Sequence, residues 1–344
     1  MHGKLKVLLG AALMSVTLLT ACTSGATTNN SSPGASASSN KVNDVKNAKI
    51  GFVAVNLNSP SITRIKDSFT AAAQARGWTV ETFDGQGDQN ATNNAAMNFI
   101  QRGFNAIVND SSPNEQMSGV IDAAAAKKVP FVSIYGGSVP NISAEVGTNE
   151  TVNGALITQE MVNAMGGNGR VLKLNWTGLQ ALRDRDNGFH AVLQGAKGVQ
   201  VAREIEIKVP GQVDDAYAQT TNFLQSDKNI QAIWVGFDEL APPVVRAVEQ
   251  AGLKDKIKVY GFDGNPFAWD LIRSGSPYKM EPANPFEPMG TKAVDTLATL
   301  LGGGTLPSKV IYMKPCLINQ QTVPTPGKFP DWNTCPYFPG SIGS

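Results

Sequence analysis

Short β-rich runs alternate with longer helical stretches along almost the whole of the chain from Lys49 to Met313, and this alternation leaves few folds open. Lys49–Val55 reads as a buried strand. Over Ser59–Arg76 the apolar residues Ile62, Ile65, Phe69 and Ala72 or Ala73 recur at the spacing of one helix face, and Gly77 stands where a helix end favours a left-handed residue. Strand Trp78–Phe83, helix Asp88–Arg102, strand Asn105–Val108, helix Glu115–Lys127 and strand Val129–Ile134 complete the first half. The second half runs helix Val152–Met165, strand Gly169–Leu174, helix Gln180–Ala196, strand Val199–Ile207 and helix Asp214–Ser226. Strand Ile230–Val235, helix Glu239–Ala251, strand Lys256–Phe262, helix Pro288–Leu301 and strand Val310–Met313 follow. Strands joined through helices imply βαβ crossovers and parallel sheets covered on both faces. Two such halves make an α/β protein of two doubly wound parallel-sheet lobes facing each other across a cleft. Ligands of such sheets collect at the carboxyl ends of the strands, which directs attention to Asn56–Ile62, Asp110, Tyr135-Gly136, Trp176, Phe237 and Asp263.

The beginning of the chain has the layout of an export signal: Lys4 and Lys6, an apolar run from Val7 to Leu19, then small residues. That run is too short to span a bilayer, which takes about 20 residues. Leu19-Thr20-Ala21-Cys22 resembles the bacterial lipobox, whose cysteine is lipid-modified and becomes the first residue of the mature chain. Residues 1–21 are accordingly read as a lipoprotein signal peptide. Residues 22–47, rich in Ser, Thr, Asn, Gly and Ala, are read as a lipid-anchored flexible tether, because they bury too little apolar area to order themselves. The expected location is the outer side of a bacterial cell membrane.

Removing 21 of 344 residues leaves 323, more than one core usually supports. Losing Lys4 and Lys6 takes the formal charge from +1 to −1, with no basic stripe, which argues against a nucleic-acid partner. With Cys22 taken by lipid, Cys316 and Cys335 form an even pair in an exported chain and are expected to make a disulfide. His190 is the only histidine outside the leader, so neither a metal site nor a cofactor is expected.

From about Lys49 to Met313 the chain resembles the type I periplasmic sugar-binding proteins, the ribose-binding group of ABC transporter receptors. The resemblance rests on an ordered series: the first strand with Asn58-Ser59-Pro60, Arg102–Ile107, Ala123–Pro130, Arg183-Asp184-Arg185 before Gly188-Phe189, and Val259–Gly264. It implies a periplasmic binding protein type I fold with a three-crossing hinge, near Thr148-Asn149, Asn284-Pro285 and Met313-Lys314. The lobes would comprise residues 48–148 plus 285–313 and residues 149–284 plus 314–344, the second carrying a disulfide-clipped tail. Carried over residue by residue, the family's ligand positions fall on Ser59, Ser61, Arg183, Asp263 and Asn284. The family's Asp-Arg pair becomes Tyr135-Gly136, and an Asn before Asp-Glu becomes Phe237, so this site has exchanged hydroxyl-binding groups for rings.

A sugar or polyol offers apolar C–H faces and hydroxyls that both donate and accept, so its site needs aromatic walls and planar polar groups. Arg183 would supply a fork of donors, Asp263 two acceptors and Asn284 one of each, with Trp176 as a stacking platform and Tyr135 and Phe237 as further walls. Each has a plainer alternative: core packing for the three rings, a pair with Asp184 or Asp186 for Arg183, and an N-cap near Pro266 for Asp263. Asp238 is read as the cap of the helix from Glu239. The expected protein is a monomeric, non-enzymatic receptor that captures a small sugar or polyol and delivers it to a membrane ABC permease. A sensory module feeding a membrane signalling partner is the alternative. An enzyme is disfavoured because the chain lacks a dinucleotide or phosphate loop, a nucleophile elbow and a His-rich cluster.

Overall fold

Each half of the strand series forms its own sheet. A computed structural model describes residues 45–337. The lipoprotein signal peptide, Cys22 and almost all of the tether lie outside the described residues. In the first half β1 (Lys49–Ala54), α1 (Pro60–Ala75), β2 (Thr79–Asp84), α2 (Gln89–Gln101), β3 (Ala106–Asp110), α3 (Ser118–Ala126), β4 (Phe131–Ile134) and β5 (Ala144–Gly147) follow in order. The second half holds α4 (Glu150–Ala164), β6 (Gly169–Asn175), α5 (Gln180–Gly195), β7 (Val199–Glu206), α6 (Gln212–Ser226) and β8 (Ala232–Val235). It continues with α7 (Ala241–Gln250), β9 (Lys258–Tyr260), α8 (Pro266–Arg273) and β10 (Tyr278–Ala283), before α9 (Phe286–Leu301), β11 (Val310–Tyr312) and β12 (Cys316–Asn319).

The first sheet has the order β11-β5-β4-β3-β1-β2 and is parallel throughout. The second, β12-β10-β9-β8-β6-β7, is parallel except for β12, which runs antiparallel to β10 at the edge. The chain therefore passes between the sheets after β5, after β10 and after β11. Helix α9 follows the second crossing, packs on α1 and buries Phe286, Met289, Val294 and Leu297 in the core of the first lobe. The central strands are apolar on both faces, as strands covered on both sides require. Among the described residues no helix is long and apolar enough to cross a membrane.

Several sequence expectations differ in detail. Asn114–Gln116 and Asp238–Leu240 are short 3₁₀ turns, so α3 and α7 begin later than the apolar spacing suggests. Strands β5, β10 and β12 carry no distinct signal, because four to six residues without alternation cannot be told from a loop. The tail is joined to the second sheet through β12, and Cys316 and Cys335 are bonded with their Cα atoms 5.6 Å apart.

Helices α4 and α5 meet more closely than side chains allow. A Cβ on Gly154 would overlap the backbone of Arg185, and one on Gly188 the carbonyl of Thr151 and the amide of Ala155. This contact sets where α5 holds its inner face. Gly188→Ala is expected to lower stability by about 1–3 kcal/mol, the usual cost of overpacking. Gly195→Ala, at the open end of the same helix with nothing within 4 Å, is the control and should leave the denaturant midpoint unchanged or slightly raised.

Candidate functional site

Three residues that follow strands hold a left-handed backbone although none is glycine: Ser111 after β3 (φ 67°), Tyr135 after β4 (φ 60°) and Asp263 beyond β9 (φ 97°). Register explains part of this convergence. Asp110 pairs with Ile134, so the residues that follow, Ser111 and Tyr135, leave the sheet side by side. All three line one cavity of about 80 Å³ between the lobes. Such conformations cost about 1–3 kcal/mol each and persist only where the surroundings enforce them. The first lobe adds Ser59, Ser61, Ile62 and Ile65 from the start of α1, together with Phe286. The second adds Leu182 and Arg185 from α5, Phe237 and Glu239 after β8, and Leu179 and Ala181.

Arg185 is the centre of the charge arrangement. Leu182, Arg185 and Phe189 share the buried face of α5, so the arginine enters the protein with its helix's apolar stripe. Its Nε donates to Glu150 at 2.7 Å, Nη1 to the carbonyl of Gly236 at 2.8 Å and Nη2 to Asp263 at 2.7 Å. The guanidinium also lies 4.7 Å from the centre of the Phe262 ring. Burial opposes its charge, but the attraction of Asp263 and Glu150 outweighs burial and holds its pKa above the ordinary value. Asp263 and Glu239 are pushed up from the carboxylate range, mainly by desolvation and partly offset by Arg185 for the first and by Ser59 and Gln212 for the second. Three of the five guanidinium N–H groups are committed, leaving two.

The lobes are also tied directly across the cleft. Ser59 donates to Glu239 at 2.7 Å, Asn265 donates to Ser61 at 3.0 Å, and Arg64 reaches the carbonyl of Gly264 at 2.9 Å while paired with Glu287. On the opposite flank Arg183 bonds Glu115 at 2.7 Å. A second cavity of about 290 Å³ adjoins this flank and shares Tyr135 and Ala181 with the first. Glu115, Glu145, Glu150 and Asp184 line it, with no basic residue among them.

The sequence-read site residues divide into two groups. Ser59, Ser61, Tyr135, Phe237 and Asp263 are brought together in the small cavity. Arg183, Trp176 and Asn284 are not among the residues lining either cavity. Arg183 lies two residues, and so about 200° of helical turn, away from Arg185, and spends its charge on Glu115 and the carbonyl of Thr177. Trp176, on the same face of β6 as Leu174, packs against that core with its ring over Gly178. Asn284 is buried at the second crossing, accepting from Thr148 and donating to Glu150, each at 3.2 Å. Asp238 does not cap the helix after it. Its carboxylate instead accepts the backbone and side-chain N–H of Asn265, at 2.7 and 2.9 Å. Arg185 and Glu239 were missed, although the spacing Leu182–Arg185–Phe189 carried the signal for the first. Among the described residues one trio of Asp186, His190 and Glu204 has metal-like spacing, but the Lys173 ammonium sits among them, bonded to Asp186 and 2.6 Å from Glu204.

This arrangement of strand ends, crossings and cleft has close counterparts. The family model described as periplasmic binding protein domain matches residues 50–305. The chain belongs to the periplasmic binding protein family. Its members are extracytoplasmic solute-binding proteins of ABC transporters, not enzymes. This periplasmic binding protein is 28% identical to the ribose import binding protein RbsB of Bacillus subtilis over 238 residues, covering 66% of this chain and 73% of that one. It is 25% identical, with a TM-score of 0.76, to an ABC transporter solute binding protein from Agrobacterium vitis with bound allitol, covering 81% of this chain and 97% of the other. A 5-methylthioribose transporter solute binding protein from Thermotoga lettingae, in complex with 5-methylthioribose, gives the same identity and TM-score, over 80% and 86% of the two chains.

The second cavity gives this periplasmic binding protein a pH response. Desolvation raises the buried Glu145 carboxyl to about 7, although it accepts the amide of Gly137 at 3.2 Å. A carboxyl raised on folding favours the native state below its unfolded value and loses that contribution as pH rises through about 7. Between pH 4.5 and 8, thermal melts of Glu145→Gln should therefore gain on wild type by the equivalent of about 3 kcal/mol. Parallel melting curves across that window would contradict the assignment.

Proposed function

We propose that the protein captures a small sugar or polyol in the cavity between its lobes and delivers it to the membrane permease of an ABC importer. The observation that carries this reading is the convergence of three strained strand-end residues on one interlobe cavity, beside an arginine with two uncommitted N–H groups. Asp263 and Glu239 offer acceptor oxygens, Ser59, Ser61 and Ser111 offer hydroxyls, and Ile62, Leu182, Phe237 and Phe286 face the C–H surfaces of the guest. The ligands named for the relatives are of the same chemical kind, including ribose and allitol.

The receptor works as a monomeric hinged clamp. Residues 48–148 with 285–313 form one jaw and 149–284 with 314–344 the other. Because the guest's contacts come from both jaws, it stabilises the shut form over the open one, which is the form that docks on the permease. Residues 1–21 are the export signal, and acylated Cys22 with the tether to residue 47 holds the receptor at the outer face of the membrane. Cys22→Ser is expected to abolish labelling by fatty acid and to release the protein from the membrane fraction; labelling that survives the change would refute the anchor.

Thermal-shift measurement across sugars, polyols, nucleosides and amino acids should single out a sugar or polyol. Against that ligand Asp263→Ala is expected to weaken binding roughly 10- to 100-fold, the consequence of losing a buried partner worth about 1–3 kcal/mol. Arg183→Ala, on the flank, should stay within a few-fold of wild type. A response confined to nucleosides or amino acids, or equal affinity in wild type and Asp263→Ala, would overturn the reading.

A further inference from the structure

We infer that Tyr135 is a partition that sets the size of guest this receptor accepts. The inference rests on the sugar or polyol reading above and assigns Tyr135 a role distinct from contact with the ligand. Tyr135 lines both cavities, the small one of about 80 Å³ and the adjoining one of about 290 Å³. Ala181 is the other residue that the two share, so Tyr135 is the larger side chain common to both walls.

The partition is held from several sides. The Tyr135 hydroxyl and Thr148 Oγ1 are 2.8 Å apart, and Thr148 in turn bonds Glu150 and Asn284 at the crossings. The ring meets Phe286 edge-on, with centroids 6.3 Å apart at 69°, and its opposite edge lies against Gly147, within 3.5 Å of where a Cβ would stand. The left-handed backbone at φ 60° aims the side chain here, a conformation that a bulky residue keeps only when its surroundings enforce it. A ring tied through Thr148 to two of the three chain crossings does not swing aside cheaply, so the small cavity stays small.

The volume then bounds the guest. At about 80 Å³ the small cavity has less than a third of the roughly 290 Å³ of its neighbour, so it suits the shorter members of the polyol and sugar series. The guests expected on that basis are glycerol, tetritols and pentoses, with hexoses excluded. Removing the ring joins the cavities. The enlarged site gains walls from Glu145, Glu150 and Asp184 and no basic residue, so it suits larger neutral or amino-substituted sugars and not sugar phosphates.

Calorimetry on a ladder of glycerol, erythritol, pentoses, pentitols, hexoses, a disaccharide, glucosamine and glucose 6-phosphate tests this with three proteins. Wild type is expected to bind within the three- to five-carbon range and to weaken at least 10-fold at six carbons. Tyr135→Gly, a residue at ease with positive φ, should gain at least 10-fold for hexoses or the disaccharide, accept glucosamine and still refuse the phosphate. Tyr135→Phe keeps the ring and should keep the wild-type cut-off. Hexose or disaccharide binding by wild type as tight as pentose binding overturns the partition without any need of the variants. So does an unchanged cut-off in a folded Tyr135→Gly. A wild type that binds no member of the ladder and no other sugar or polyol overturns the proposed function itself.

Discussion

A buried positive charge organises this molecule. Arg185 sits in the interior and is tolerable there because Glu150 and Asp263 neutralise it, while the carbonyl of Gly236 takes a third N–H and the Phe262 ring lies against the guanidinium. Removing one partner from a buried pair leaves the other uncompensated, typically a loss of about 3–5 kcal/mol. The requirement reaches far along the chain. Glu150 opens α4 just after the first crossing, Asp263 lies beyond β9, and α5 must approach α4 as closely as Gly154 and Gly188 allow. Satisfying one cation thus positions the hinge, the floor of the cavity and the most tightly packed helix pair together.

The cleft is a balance of modest forces. Ser59–Glu239, Ser61–Asn265 and Arg64–Gly264 bridge the lobes; a neutral bond such as Ser61–Asn265 is worth about 0.5–1.5 kcal/mol net and one to a charged group about 1.5–3 kcal/mol. Ties of this size bias closure without locking it. A guest that adds contacts from both sides can then decide the population, provided it binds the shut form better by several kcal/mol. Direct bridges on both flanks hold the walls of the cavity together.

Much of the fold was legible because its signal is periodic. Helices of 13 or more residues such as α1, α2 and α9 repeat their apolar face several times, and both-face burial gives β1, β3 and β8 uninterrupted apolar stretches at Ile50–Ala54, Ala106–Val108 and Ala232–Val235. Short elements have no room for a period: β5, β10 and β12 were invisible, and the 3₁₀ turns before α3 and α7 passed for helix. The site was half legible. Strand ends in a doubly wound sheet point to Tyr135, Phe237 and Asp263 whatever the details. Choosing between Arg183 and Arg185 needed the rotation of α5: the likeness of the motif pointed to Arg183, whereas Arg185 is the one that lines the small cavity. Trp176 and Asn284 stand at strand ends as well, yet one turns into the core and the other into the hinge.

By itself the sequence determined the alternation of strand and helix, the two-lobed layout and the strand ends that border the cleft, because these depend on local hydrophobic spacing and on the topology of parallel sheets. Tertiary structure decided which residues line the cavity, how large it is, and that Tyr135 lines its neighbour as well. Those properties arise from helix rotation, close backbone approach and the pairing of charges more than 30 residues apart, and no local pattern along a chain encodes distances of that kind.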